Sequence, residues 1–309
     1  MDAVAKNPET EVWKIVGPTH DAFVPLLEAR RASIEKVEKK TFRYGTLPRQ
    51  QANVYYPPPS FGKKPPVLFF VYGGGFVTGA RILPAPHSLI YASLGAFFAQ
   101  RGFLTVIADY RLVPEVGYPA PAEDVRDAVV WVVDNVSTVG SAGIGIEPDT
   151  DALFLLGHSV GAVYIVTLML ARELRLSIAG PLLPRIRGVV LSGGCYTYDL
   201  GTRLDFQYYG SREKAAEREP LQLLKDAQLL KDAPDNLPEV LLVQAEREPD
   251  WAVSSGDKFK AALEARRGRE VKRIFGKGHN HISMNVALGS GEGVEWAEEA
   301  IEWMKERLL

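Results

Sequence analysis

Residues 152–161 read Ala152-Leu153-Phe154-Leu155-Leu156-Gly157-His158-Ser159-Val160-Gly161, and an apolar stretch over residues 160–171 follows directly. The unbroken apolar run predicts a strand covered on both faces, and the stretch after it predicts a helix. Between them stands a serine with glycine two positions away on either side. Small residues there let the backbone turn sharply from strand to helix, which lifts the serine hydroxyl above the sheet edge. The helix start adds unpaired amides that favour a developing negative charge. Alone, a G-x-S-x-G pattern arises by chance in about 0.1–0.2 of chains of this length and glycine content. The strand before it and the helix after it therefore carry the weight. A glycine-rich turn with an N-capping serine is the plain alternative.

Apolar runs of the same kind recur at residues 67–72, 104–108, 188–191 and 240–243. Residues 52–56 alternate like a half-buried strand, and residues 271–275 read as a last, more amphipathic one. Helices are predicted between them at 89–101, 122–135, 160–176, 252–267 and 293–309. The fourth ends on Gly268, a stop signal. Strand–helix alternation of this kind predicts an α/β architecture: a mainly parallel, doubly wound sheet with helices on both faces. Two segments break the rhythm. Residues 1–45 hold a charged, helix-like stretch at 23–40, and residues 196–238 are polar, tyrosine-rich and free of strand signal. Long insertions beside strand ends usually carry specificity surfaces.

Composition narrows the function. The 309 residues are 46% hydrophobic and 24% charged, which matches folded globular chains at about 45–50% and 25% and excludes disorder and fibrous repeats. A net charge of −2 gives no basic face for nucleic acid. Cys195 is the single cysteine, so neither an intramolecular disulfide nor a cysteine-rich zinc site can form. Residues 1–9 lack the pattern of a secretion signal. The longest apolar stretch, 160–171, falls short of the ~20 residues that span a bilayer. These features predict a soluble, cytoplasmic protein with no membrane partner.

A serine nucleophile needs oxyanion donors, a base and an orienting carboxylate. Gly73-Gly74-Gly75-Phe76 follows the run at 67–72 and can supply backbone amides. It does not complete a G-x-G-x-x-G dinucleotide fingerprint. Of the five histidines, His20 and His87 are expected far from the strand ends, and His158 is expected to point away from the serine. His279 and His281 lie in the loop after the last strand, where the order serine, acid, histidine puts the base. The acid is expected after the strand at 240–243, where Glu246, Glu248 and Asp250 all stand.

Further stretches support a resemblance. Asp109-Tyr110-Arg111-Leu112-Val113-Pro114-Glu115 and Tyr118-Pro119-Ala120-Pro121-Ala122-Glu123-Asp124 resemble the D-Y-R-L-A-P-E and F-P-A-A-x-x-D stretches of hormone-sensitive-lipase-like esterases, the H-G-G-G branch of the α/β-hydrolases. The resemblance covers roughly residues 50–309. It implies a single α/β-hydrolase domain over residues 1–309, with 1–45 and 196–238 forming a helical cap. By position it makes Ser159 the nucleophile and Gly74, Gly75 and Val160 the oxyanion donors. Glu248 takes the acid's place with Asp250 as fallback, and His281 is favoured over His279. It implies a carboxylesterase for small esters that works through an acyl-enzyme, with no metal and no cofactor, and it admits a homodimer. Tyr72 replaces the family's histidine, and the elbow is G-H-S-V-G rather than G-D-S-A-G. That elbow and Asn280-His281-Ile282-Ser283 are similar to arylformamidases, which act on N-formyl aromatic substrates. A non-catalytic ligand-binding relative is the third alternative. Tyr196, Tyr198, Phe206, Tyr208 and Tyr209 are candidates to line the substrate pocket or to pack the cap.

Overall fold

The computed structural model describes residues 1–142, 145–198, 203–229 and 237–309. Eight strands form one sheet: β1 (Lys39–Arg43), β2 (Gln51–Tyr55), β3 (Pro66–Val71), β4 (Leu104–Ala108), β5 (Asp149–His158), β6 (Ile186–Ser192), β7 (Glu239–Arg247) and β8 (Arg273–Asn280). Their order is β1-β2-β4-β3-β5-β6-β7-β8. The β1–β2 and β2–β4 pairs are antiparallel, and the others are parallel. The interior strands read as continuous apolar runs because helices cover both faces. Leu153–Leu156 in β5 and Val67–Phe70 in β3 are almost fully enclosed.

Chain direction decides where the helices go. The β3-to-β4 connection runs towards β1 and carries the helix Leu89–Ala99 to one face. The connections β4-to-β5, β5-to-β6 and β7-to-β8 run the other way. With right-handed crossovers they carry Ala120–Asp134, Val160–Leu170 and Asp250–Arg267 to the opposite face. The last helix, Glu295–Lys305, joins Leu89–Ala99, and Arg101 beside the latter binds Glu298 at 2.8 Å. The order reverses at β3 and β5, so their carboxyl ends flank a topological switch point, the crevice where such sheets bind ligands.

Several expectations need correcting. Residues 1–45 are not all outside the sheet, because β1 forms its edge and its polar Lys39-Lys40-Thr41 suits an edge strand. The first long helix is Val12–Ala29 and passes through Pro18 and Pro25. The strand at 52–56 is buried rather than half-buried. The helix after Ser159 is buried at every position, and it ends at Leu170 rather than 176, when Ala171 turns extended. A separate helix, Arg172–Ile178, follows. The last strand begins two residues late and runs on to Asn280. Within 196–238 lie the helices Arg203–Tyr209, Arg212–Arg218 and Pro220–Leu229. Residues 199–202 and 230–236 of that segment fall outside the described residues. No helix among the described residues is long and apolar enough to cross a membrane.

A fully buried carboxylate ties the front of the sheet together. Asp124 Oδ2 accepts from the Arg111 backbone N–H and from Arg111 Nε, each at 2.8 Å, and Oδ1 accepts from Gln50 Nε2 at 3.0 Å. Removing one partner strands the others in low dielectric. Asp124→Ala is expected to cost about 2–4 kcal/mol in urea unfolding; a loss below about 1 kcal/mol would show that the brace contributes little.

Candidate active site

Ser159 occupies the turn between β5 and the helix Val160–Leu170 with φ 55° and ψ −123°. A non-glycine residue there is strained, and the surrounding packing holds it. Its N–H donates to Ser192 O at 2.9 Å, which pins the turn to the end of β6. Gly161 must lack a side chain, since a Cβ would fall on the Val71 carbonyl of β3. Ser159 makes no side-chain cap bond to its helix, so the N-capping alternative does not describe it.

The loop Gly73–Phe76 leaves β3 on the other side of the switch point. Gly74 O accepts from Val77 N at 3.2 Å and from Thr78 N at 3.0 Å, closing a tight turn. The amides of Gly74 and Gly75 find no hydrogen-bond partner among the described residues. The stretch from Asp109 to Glu115 braces the loop at both ends. Tyr110 Oη donates to Tyr72 O at 2.8 Å, and Val113 N–H donates to Phe76 O at 3.1 Å. Tyr72 turns its hydroxyl to Asp109 Oδ1 at 2.9 Å and so serves the brace. Phe76 stacks on Tyr208 at 4.3 Å. Trp13, from the first long helix and 54% exposed, lies against Gly75.

Of the late histidines and carboxylates, one pair meets. His281 Nδ1 lies 2.7 Å from Glu248 Oε2, and both side chains are buried. Glu248 Oε1 also receives the Ala245 N–H at 3.4 Å. Gly193 closes over the pair with φ 55°, and a Cβ there would stand 2.9 Å from Glu248 Oε1 and 3.0 Å from His281 Nδ1. Asp250 opens the following helix and faces the cavity without touching His281. Glu246 accepts the Gly278 N–H at 2.7 Å. His279 engages Ser283 Oγ at 3.0 Å and packs on Gly293.

Of the remaining histidines, His20 differs from expectation. His20 faces the cavity, because Val12, Val16 and His20 share the inner stripe of their helix. Burial, then the nearby His87, pushes its imidazole down to about 4. His87 is held by Asp21 at 2.8 Å. His158 Nε2 reaches His281 O at 2.8 Å, and burial followed by the neighbouring His281 pushes it well below the usual histidine range.

One cavity of about 900 Å3 contains Gly73–Phe76, Ser159, Val160 and His281. Trp13, Leu83, Tyr91, Ile282 and Val286 give it an apolar wall, and Thr197, Ser254 and Lys258 give it a polar one. Of the five candidate aromatic residues, only Tyr198 lines it. Tyr196 stacks on Phe259 at 4.1 Å, Tyr208 and Tyr209 pack behind Phe76, and Phe206 packs against the core. Cys195 lies on the wall, with its thiol pushed up by burial.

Residues 53–173 match the BD-FAE family model. The chain is 29% identical over 230 residues, 72% of its length, to the non-reducing polyketide synthase ausA of Aspergillus calidoustus, and 30% identical over 109 residues, 35% of its length, to the probable carboxylesterase 7 of Arabidopsis thaliana. These matches span 9% of the synthase and 34% of the carboxylesterase. Among solved structures, the phosphonate-inhibited esterase B of Lactobacillus rhamnosis superposes with a TM-score of 0.69 at 16% identity, covering 93% of this chain and 96% of that one. The sheet, its crossovers and this superposition give the chain the α/β-hydrolase fold.

Gly193→Ala is expected to push Glu248 and His281 apart and to cost about 2 kcal/mol of stability. The downfield proton resonance of an imidazole N–H bonded to a buried carboxylate should vanish in Gly193→Ala and Glu248→Ala and persist in Asp250→Ala. Its survival in Glu248→Ala would assign the proton to another pair.

Proposed function

We propose that this α/β-hydrolase is a serine hydrolase that cleaves small carboxylic esters through an acyl-enzyme. The carrying observation is the buried 2.7 Å bond from Glu248 to His281, whose imidazole lines the same cavity as a serine on a strained strand-to-helix turn. Ser159 Oγ attacks the ester carbonyl while His281 Nε2 takes its proton. Glu248 holds the ring by Nδ1–H and stabilises the cation that forms. The amides of Gly74, Gly75 and Val160 receive the developing oxyanion, the last from the start of a helix whose dipole favours negative charge. The imidazolium then protonates the leaving alcohol. Water, activated by the same ring, releases the acid. The scheme needs no metal or organic cofactor.

The relative called a carboxylesterase supports an oxygen ester, and the apolar wall around Trp13 and Leu83 suits the hydrocarbon part of such a substrate. In this reading the helix Val12–Ala29 and the helices within 196–238 act as the cap.

Purified protein should hydrolyse 4-nitrophenyl acetate. Ser159→Ala should lower kcat/KM by about 10^4-fold or more, and Glu248→Ala by about 10^2–10^4-fold. Asp250→Ala should stay within about 5-fold, and the reverse order would move the acid to Asp250. Much faster turnover of N-formylkynurenine than of the acetate would make the enzyme a formamidase. No Ser159-dependent turnover of either would make it a binding protein.

A further inference from the structure

We propose that His158 is a positioning residue for the hydrolysis, holding the backbone of His281 from within the serine turn so that the turn itself sets where the base stands. The proposal rests on the Ser159–His281–Glu248 reading above.

His158 Nε2 lies 2.8 Å from the His281 carbonyl oxygen. A carbonyl only accepts, so Nε2 carries the hydrogen and the neutral ring keeps its lone pair on Nδ1. That edge faces the start of the oxyanion loop. A Cβ on Gly73 would stand 3.1 Å from His158 Nδ1 and 2.9 Å from Ser159 Cβ. The His158 and His281 ring centroids are 4.6 Å apart. One imidazole therefore adjoins all three parts of the machinery: it is bonded in sequence to the nucleophile, packed on the glycine loop and hydrogen-bonded to the main chain of the base.

The division of labour follows. Glu248 fixes the His281 ring at one atom, about which the ring could still swing. His158 fixes the main chain that carries the ring, and two anchors together define where Nε2 points. A displacement of about 1 Å at such a site costs about 10^2-fold in rate. Charge matters as well. When His281 takes the serine proton it becomes cationic, and a second cation in ring contact would oppose that step. Enclosure of His158 keeps it neutral. The histidine inside the elbow thus supplies a buried N–H without a charge, and it reaches the base where a shorter polar side chain would not.

Three variants separate reach from polarity, assayed on 4-nitrophenyl acetate. His158→Gln places an amide N–H near the position of Nε2. His158→Asn keeps the amide but stops short, and His158→Leu removes the donor. The Gln variant should retain kcat within about 5-fold, while Asn and Leu should lose about 30–100-fold in kcat with KM within about 3-fold. Gln as impaired as Leu, Asn as active as Gln, or Leu within about 3-fold of the unaltered protein would each overturn the proposal. Loss of folded protein in all three by circular dichroism would assign His158 to folding and overturn it too. An unaltered protein without Ser159-dependent turnover would instead bring down the esterase reading, and positioning with it.

Discussion

The hydrogen bond from His281 to Glu248 is closed to water, and that closure governs how the carboxyl ends of β6, β7 and β8 are arranged. A buried carboxylate beside an imidazole is tolerable only when each has its partner. Three neighbouring parallel strands meet that demand: β7 leads into the carboxylate, β8 leads into the imidazole, and the residue that follows β6, Gly193, closes over both without a side chain. The register that pairs Arg247 with Asn280 brings the two groups to the same height. A slip of β8 by one residue would carry the imidazole away from the face on which Glu248 waits.

The other half of the site is held by a different kind of force. The glycine loop after β3 is anchored by the buried side chain of Phe76 at its end. It is kept in place by hydrogen bonds from Tyr110 and Val113 and by the Phe76–Tyr208 stack. The Asp109-Tyr110-Arg111 and Asp124 positions, which read in the sequence as a family signature, act here as a frame. Arg81 and Tyr72 converge on Asp109, and Arg111 and Gln50 converge on Asp124. Buried ionic groups stabilise a fold weakly but fix one geometry when fully paired.

Much of this was legible from residue order. The apolar runs gave the interior strands, and the turn chemistry of Gly157–Gly161 gave the elbow. What stayed hidden was non-local. The sequence Gly276-Lys277-Gly278 looks like a loop, yet β8 runs through it because β7 offers a ladder to pair with, and pairing outweighs propensity. The helix Val12–Ala29 begins well before the charged stretch at 23–40 and continues through Pro18, which brings His20 to the cavity. Thr19 on that helix receives Asn280 Nδ2 at 3.0 Å, a contact across 261 positions that no local pattern announces. The choice between Glu248 and Asp250 depended on the same kind of contact, since the two differ by two positions and only one meets the imidazole.

The cavity draws Trp13 and His20 from the beginning of the chain, its serine from the middle and His281 from close to the end. During synthesis the serine turn can form with its strand and helix well before β8 leaves the ribosome. On the proposed reading, a nascent chain would carry the serine turn with no base beside it, and the site would be complete only once the final strand had paired with the sheet.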